Sequence, residues 1–273
     1  MWIPANRLAK CGRIRLAEAV SQRLARWRGR TALVTGASSG IGAAIARELA
    51  VGLGMRVAAV ARRKARLDAL ASAVVAAGGE LVPVVADVSD TADIDAAFAE
   101  ARKHLGGVDL LVNNAGVANM AEIMDGKPAD WSQSLDINVV APAYCAQLAL
   151  TDMGEREDTQ IINISSVYAH RDQVPNFALY QASKAAVRAL TNTLRAEIAN
   201  RQLPVRVGMI SPGMVATEFR AQATDGRIAY ESYFEHYEPL LPEDIVDAVM
   251  YMLSTRPHIQ VQDILLSPLG QGL

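Results

Sequence analysis

The sequence predicts an α/β fold: one doubly wound parallel sheet of about seven strands, with helices on both faces. Three observations predict it. Short apolar segments recur without polar alternation, as strands covered on both sides do. Helical stretches of about a dozen residues or more separate them, long enough for parallel crossovers. A glycine-rich turn joins the first strand to the first helix, where folds of this kind bring backbone close to a ligand.

The elements follow in order. Thr31–Thr35 (TALVT) reads as the first strand, and Gly40 to about Gly52 as the first helix. Arg56–Ala61 is the second strand; Lys64–Ala77 is helical, with Leu67, Leu70 and Val74 at three- and four-residue spacing. Leu81–Val85 and Thr91–Leu105 give the third strand and helix, and Val108–Asn113 the fourth strand. A long helix is expected from about Asp130 to Met153, then a fifth strand at Gln160–Ser165 and a helix at Ala178–Asn200. Val205–Ser211 is the sixth strand. A loop-rich stretch runs from Pro212 to Leu241, then a helix at Pro242–Ser254 with proline in its first turn, and a last strand at Ile259–Leu266. No linker, repeat or low-complexity segment divides the pattern. The expected organisation is a basic extension over 1–25 and a single Rossmann-type domain over 26–273.

Composition narrows the function. The chain has 273 residues, 51% hydrophobic and 21% charged, an ordinary globular balance. No apolar run reaches the roughly 18–20 residues that span a bilayer. Cys11 and Cys145 stand far apart and the four histidines are scattered. Neither a disulfide framework nor a metal-ligand spacing results, which suits a reducing, cytoplasmic compartment. Residues 1–30 hold eight Lys/Arg and one acid, Glu18, leaving 19 basic against 28 acidic residues in the remainder. An acidic body argues against nucleic acid as a partner. Leu16, Val20, Leu24 and Trp27 fall at helical spacing in the basic segment. That segment reads as a solvated extension, an organellar targeting segment or a helix that touches a membrane surface.

The first connection is "TGASSGIG", Thr35–Gly42. Gly36, Gly40 and Gly42 permit a tight turn and let Ser38, Ser39 and Ile41 present backbone to a pyrophosphate at a helix N-terminus. The second strand ends without an acid. Arg62, Arg63, Lys64 and Arg66 follow Ala61 instead. Dinucleotide folds that take NAD place an acid there for the ribose hydroxyls; guanidinium groups match a 2′-phosphate. NADP(H) is therefore the expected cofactor. Tyr180 and Lys184 stand four apart in "FALYQASKAAV", on one helix face. A free phenol ionises near 10, too high for efficient proton exchange at neutral pH, and a nearby cation lowers it. The lysine is expected to tune the phenol in that way.

These residues together resemble a known family. "TGASSGIG", "NNAG" at Asn113–Gly116, the serine of "NISS", Tyr180-x-x-x-Lys184 and "PGMVAT" at Pro212–Thr217 have the order and spacing of the short-chain dehydrogenases/reductases. The likeness runs from about Arg26 to the C-terminus. Segments such as "NISSVYAHR" and "LPEDIVDAVMYMLSTRPHIQVQDILLSP" look like the insect farnesol dehydrogenases and related vertebrate carbonyl and ketosteroid reductases. The closing segment also resembles bacterial NADP-dependent 3-hydroxy acid dehydrogenases.

The resemblance implies roles. Tyr180 is the general acid or base at the substrate oxygen, and Ser166, the second of the serine pair, hydrogen-bonds that oxygen. Lys184 also holds the nicotinamide ribose. Asn138 anchors a water in a proton relay to the lysine. Asp87 and Val88 lie beside the adenine. Asn113, Asn114, Ala115 and Gly116 form the floor under the ribose, and Pro212, Gly213, Val215 and Thr217 hold the carboxamide and phosphates. The gap from Ser166 to Tyr180 exceeds that of many relatives by one residue, which puts the loop with Tyr168, His170 and Arg171 in question.

Phe219, Tyr230, Tyr233, Phe234 and Tyr237 follow the last motif, in a chain with 5% aromatics. They favour a lipophilic alcohol or carbonyl substrate. Arg171 and Arg220 keep a 3-hydroxy acid open as the alternative, and a non-catalytic NADP(H)-binding regulator is a further one. The family likeness implies a homodimer or homotetramer. Ala141, Ala143, Ala146, Ala149, Ala182, Ala185, Ala186 and Ala189 would allow two long helices to approach their copies.

Overall fold

The structure, a computed structural model, describes residues 18–171, 175–224 and 237–271. Seven parallel strands form one sheet: β1 (Thr31–Thr35), β2 (Arg56–Ala61), β3 (Glu80–Val85), β4 (Leu110–Asn113), β5 (Thr159–Ile164), β6 (Val205–Pro212) and β7 (Asp263–Leu266). Their order is β3-β2-β1-β4-β5-β6-β7. The chain winds outward from β1 in one direction and from β4 in the other. The crevice beyond the strand ends at that switch point is where such sheets bind ligands.

The helices are α1 (Gly40–Arg47), α2 (Lys64–Ala76), α3 (Thr91–Leu105), α4 (Pro128–Leu135), α5 (Ala141–Met153), α6 (Ala178–Asn200), α7 (Phe219–Ala223) and α8 (Pro242–Ser254). Two apolar layers cover the sheet. One gathers Ile45 and Leu49, Leu67 and Val74 of α2, Met252 and Leu253 of α8, and Trp27. The other gathers Ile94 and Phe98 of α3, Cys145 and Met153 of α5, and Ile198 of α6. Burial pushes the Cys145 thiol up to about 12, so it behaves as core. Cys11 lies outside the described residues.

The expected elements are present, with four instructive differences. The first helix continues beyond Arg47 as a π-helical turn over Glu48–Gly52. The long helix expected from Asp130 divides into α4, a π-helical turn at Asp136–Val140, and α5. Such turns recur at functional positions, and this one carries Asn138. β7 is half the expected length because a side chain takes over from strand pairing: Gln260 Oε1 accepts from Val207 N at 2.8 Å. Finally, Ala141, Ala146 and Ala149 are buried in the chain's own core, so they cannot line a contact with a second copy.

The basic segment meets the body before residue 25. Residues 18–25 are helical, Leu24 packs on the core, and Arg23 Nε donates to Ser254 O at 2.5 Å. Trp27 is fully buried, donates to Leu253 O at 3.1 Å and lies under the Arg206 guanidinium. Among the described residues no helix is long and apolar enough to cross a membrane.

Candidate active site

A cleft of about 420 Å³ opens at the switch point. It is built from the turn after β1, the ends of β2 through β6, and the start of α6. Gly36 has φ +68° and Gly40 φ +52°, a region that L side chains rarely adopt. A Cβ on Gly36 would stand 2.8 Å from Ala115 Cα, and one on Gly40 would stand 3.0 Å from Thr217 Cγ2. Glycine at both positions lets the turn pack this closely on Ala115 and Thr217, and both glycines line the cleft. Ser38, Ser39 and Ile41 line it with them. Gly42 does not line the cleft: a Cβ there would collide with the Asn114 side chain and Gly36 O, so its role is close packing of α1.

Arg62, Arg63, Asp87 and Val88 line the outer end of the cleft; Asn114, Ala115 and Gly116 line its floor; Pro212, Gly213, Val215 and Thr217 form the far wall. Thr35 Oγ1 accepts from both Asn114 N and Ala115 N at 3.0 Å, which ties the floor to β1. Asn113 does not belong to this floor. Its amide turns inward, to Asn163 Oδ1 at 2.9 Å and Pro142 O at 3.1 Å. Asn163 in turn donates to Thr191 Oγ1 at 2.8 Å. This buried polar chain ties β4, β5, α5 and α6 together.

At the outer end the cations are already engaged. Arg63 donates to Ser38 Oγ and, at 2.6 Å, to Ser39 Oγ; its Nη1 meets Glu218 Oε1 at 2.6 Å. Arg66 Nη1 reaches both Glu218 oxygens, at 2.8 and 2.9 Å. Partial burial works to raise the Glu218 carboxyl, but hydrogen bonds from Arg66, Ser39 and Arg63 outweigh it and hold the group at about 2. Arg62 lies 3.6 Å from Asp87 and its side chain is 59% exposed.

At the inner end Tyr180, Ser166 and Lys184 converge, all buried. The Ser166 side chain lies beside the Tyr180 phenol and favours its ionised form. Ser166 Oγ also accepts from Tyr168 N at 3.2 Å, which starts the short 3-10 turn Val167–His170. Lys184 Nζ lies 5.7 Å from the Tyr180 ring centre and donates to Ile164 O at 3.0 Å.

The electrostatics reverse one expectation. Burial pushes the Tyr180 phenol up to about 12, against a smaller downward pull from the Ser166 hydrogen bond and Arg220. Burial also lowers the Lys184 amine from 10.5 to about 8. Among the protein's own groups the lysine therefore does not bring the phenol down. Its ammonium is turned to the Ile164 carbonyl, and desolvation drives both members of the pair toward their neutral forms.

Asn138 is buried and does not line the cleft. Its Nδ2 donates to Val117 O at 2.8 Å and Ser183 Oγ at 3.0 Å, and its Oδ1 accepts from Val117 N at 2.9 Å. The side-chain amide is thus fully engaged, which leaves only the backbone carbonyl of Asn138 for the expected relay water. The side chain instead pins the Gly116–Val117 loop to α6.

The aromatic wall comes from residues that the sequence pattern did not single out as a wall. Tyr180 meets Tyr168 at 5.9 Å, Phe177 at 6.4 Å and Phe219 at 5.8 Å between ring centres. Arg220 Nη1 donates to the Tyr168 hydroxyl at 3.2 Å and its guanidinium stacks 4.6 Å from the Phe177 ring centre. Arg171 stacks on Tyr168. Phe219 alone of the expected loop aromatics is seen in the wall: Tyr237 lies away from it, and Tyr230, Tyr233 and Phe234 fall outside the described residues.

The model of the short chain dehydrogenase family matches residues 30–227. The chain belongs to the short-chain dehydrogenases, an oxidoreductase family. It is similar to the human protein named dehydrogenase/reductase SDR family member 11, 42% identical over 90% of this chain and 96% of that one. It is 41% identical to a farnesol dehydrogenase of Aedes aegypti, over 90% of this chain and 98% of the relative. Among solved structures, a metagenomic short-chain oxidoreductase in complex with NADP matches with TM-score 0.74 and 33% identity, covering 89% of this chain and 98% of that one. A closed form of serine dehydrogenase complexed with NADP+ matches with TM-score 0.78 and 31% identity, over 86% and 94% of the two chains.

Proposed function

We propose that this short-chain dehydrogenase interconverts a secondary or allylic alcohol and its ketone or aldehyde, with NADP(H) as cofactor and a lipophilic substrate. The observation that carries the reading is one cleft with two chemically distinct ends. A glycine cradle and a cationic rim face one end; Tyr180, Ser166 and Lys184 stand against an aromatic wall at the other. The cradle of Gly36 and Gly40 fits a pyrophosphate, and Ser38, Ser39, Arg62 and Arg63 supply donors for a further phosphate. When bound, the cofactor supplies or accepts the hydride.

The chain's own residues manage the proton. The neutral Tyr180 hydroxyl donates its proton to the carbonyl oxygen during reduction and is left as the phenolate. Oxidation is the reverse, the phenolate form taking the alcohol proton, so oxidation gains as pH rises toward the phenol's value of about 12. Ser166 shares that oxygen and fixes its position against the phenol. Lys184, partly protonated near its value of about 8, supplies a donor for the ribose and a charge beside the ring. Asn138 acts as a positioning residue through the loop it pins.

Phe177, Tyr168 and Phe219 support an apolar substrate, as does the likeness to a farnesol dehydrogenase. Arg220 in the cleft beside this wall favours a second reading, a 3-hydroxy acid whose carboxylate meets the guanidinium. NADPH consumption with farnesal, steroid ketones, quinones and 3-oxo acids separates the two. Turnover of the 3-oxo acids alone would exclude the lipophilic reading.

We also propose a homodimer or homotetramer. Leu135, Val140 and Leu190, 40–49% exposed on adjoining helices, support it. A monomer in light scattering at micromolar concentration contradicts it. Contact of the basic segment with membranes is tested by vesicle binding with and without residues 1–17.

A further inference from the structure

Glu218 is an anion held in a site built for anions. Its carboxylate takes three hydrogen bonds of 2.6–2.9 Å from Arg63 and Arg66, and Arg63 is itself oriented by the hydroxyls of Ser38 and Ser39. Arg63, Ser38, Ser39 and Glu218 all line the cofactor end of the cleft. Glu218 also directly precedes α7, whose Phe219 stands 5.8 Å from the Tyr180 ring and whose Ala223 packs in the same aromatic cluster. One residue thus joins the cationic rim to the substrate wall.

We propose that Glu218 is a built-in competitor for the cofactor's 2′-phosphate. Its carboxylate holds Arg63 and Arg66 until a phosphate dianion, with more charge and more acceptor oxygens, displaces it. The proposal rests on the NADP(H) reading and adds to it. Arg66 joins Arg63 on the phosphate, and Arg62, turned to Asp87 and mostly exposed, contributes less. Displacement frees the start of α7, so cofactor occupancy is sensed at the substrate wall.

The test titrates the cofactor-free protein with 2′,5′-ADP and with 5′-AMP by calorimetry, comparing the native chain with Glu218→Gln. The variant is expected to bind 2′,5′-ADP about fivefold more tightly, or about 1 kcal/mol, and 5′-AMP unchanged. Amide exchange over residues 219–223 is expected to quicken when 2′,5′-ADP is added to the native protein, and to be quick from the start in the variant. Arg66→Ala is expected to weaken 2′,5′-ADP binding more than Arg62→Ala. Unchanged or weaker 2′,5′-ADP binding by Glu218→Gln overturns the competitor, because the carboxylate would then be a bystander or a support for the arginines. A native protein that binds 2′,5′-ADP no better than 5′-AMP overturns the NADP(H) reading itself. A native preference with no response in the variant overturns the competitor alone.

Discussion

The two ends of the cleft are governed by different electrostatics. At the inner end Tyr180 and Lys184 are buried, and desolvation moves each toward its neutral form: the phenol up to about 12, the amine down to about 8. At the outer end Glu218 keeps about a third of its side-chain surface exposed, and hydrogen bonds from arginine and serine hold it ionised, at about 2. Burial decides where no partner faces the charge; partners decide where solvent still reaches it. A proton can therefore reside on the phenol at one end while a carboxylate is held ionised at the other, in the same groove.

The sharpest break of the inner end is Tyr180→Phe. The ring keeps its packing against Tyr168, Phe177 and Phe219 but loses the transferable proton. Turnover is expected to fall by roughly 10²–10⁴-fold or more, with cofactor affinity nearly unchanged. Steady-state kinetics with a parallel binding titration checks both halves, and near-native turnover would mean that the phenol is structural.

Lys184→Met tests the claim that burial sets the lysine. Its folded value, about 8, lies below its ordinary value of 10.5, so the amine's contribution to stability is present above 10.5 and is lost as pH falls through 8. The gap between those two values corresponds to about 3 kcal/mol. Denaturation of the native protein is therefore expected to become harder between pH 7 and 10.5 relative to Lys184→Met. The variant also loses turnover and ribose binding. Parallel stability curves for the two proteins exclude the burial account.

At the outer end the effects are smaller. Arg63→Ala is expected to weaken NADPH by about 1.5–3 kcal/mol, the scale of a charge-assisted hydrogen bond, while NADH changes little. Arg62→Ala is expected to cost less than 1 kcal/mol, as for other exposed pairs. Binding titrations of both variants with both cofactors settle the ranking, and equal losses would place the phosphate between Arg62 and Arg63 as the sequence alone suggested.

Much of this was legible before the structure, and the reason differs by element. The bounds of α6 and α8 follow from apolar periodicity and, for α8, from a proline at the first turn. The glycine turn and Tyr180 with Lys184 are local patterns whose spacing carries their geometry, and Ser166 was named by the family resemblance. What escaped the sequence depends on contacts between distant residues. Glu218 finds Arg63 across 155 positions. Tyr168 and Phe177 join the wall only because the turn after β5 folds back onto α6. The π-helical turn that sets Asn138 has no composition signal. Asn113 and Asn114 are neighbours in one motif, yet strand alternation sends one into the core and the other into the cleft. The expected tuning of Tyr180 by Lys184 is opposed by burial for a related reason: helical spacing brings the two side chains near, but only the fold shows how dry their surroundings are.

The direct measurement is the tyrosinate difference spectrum of the cofactor-free protein, native minus Tyr180→Phe, followed from pH 7 to 10.5. Burial of the phenol predicts no tyrosinate signal from Tyr180 in that range, because its value lies at about 12. A signal that titrates below the ordinary phenol value of about 10 would contradict the account and restore Lys184 as the group that tunes the phenol.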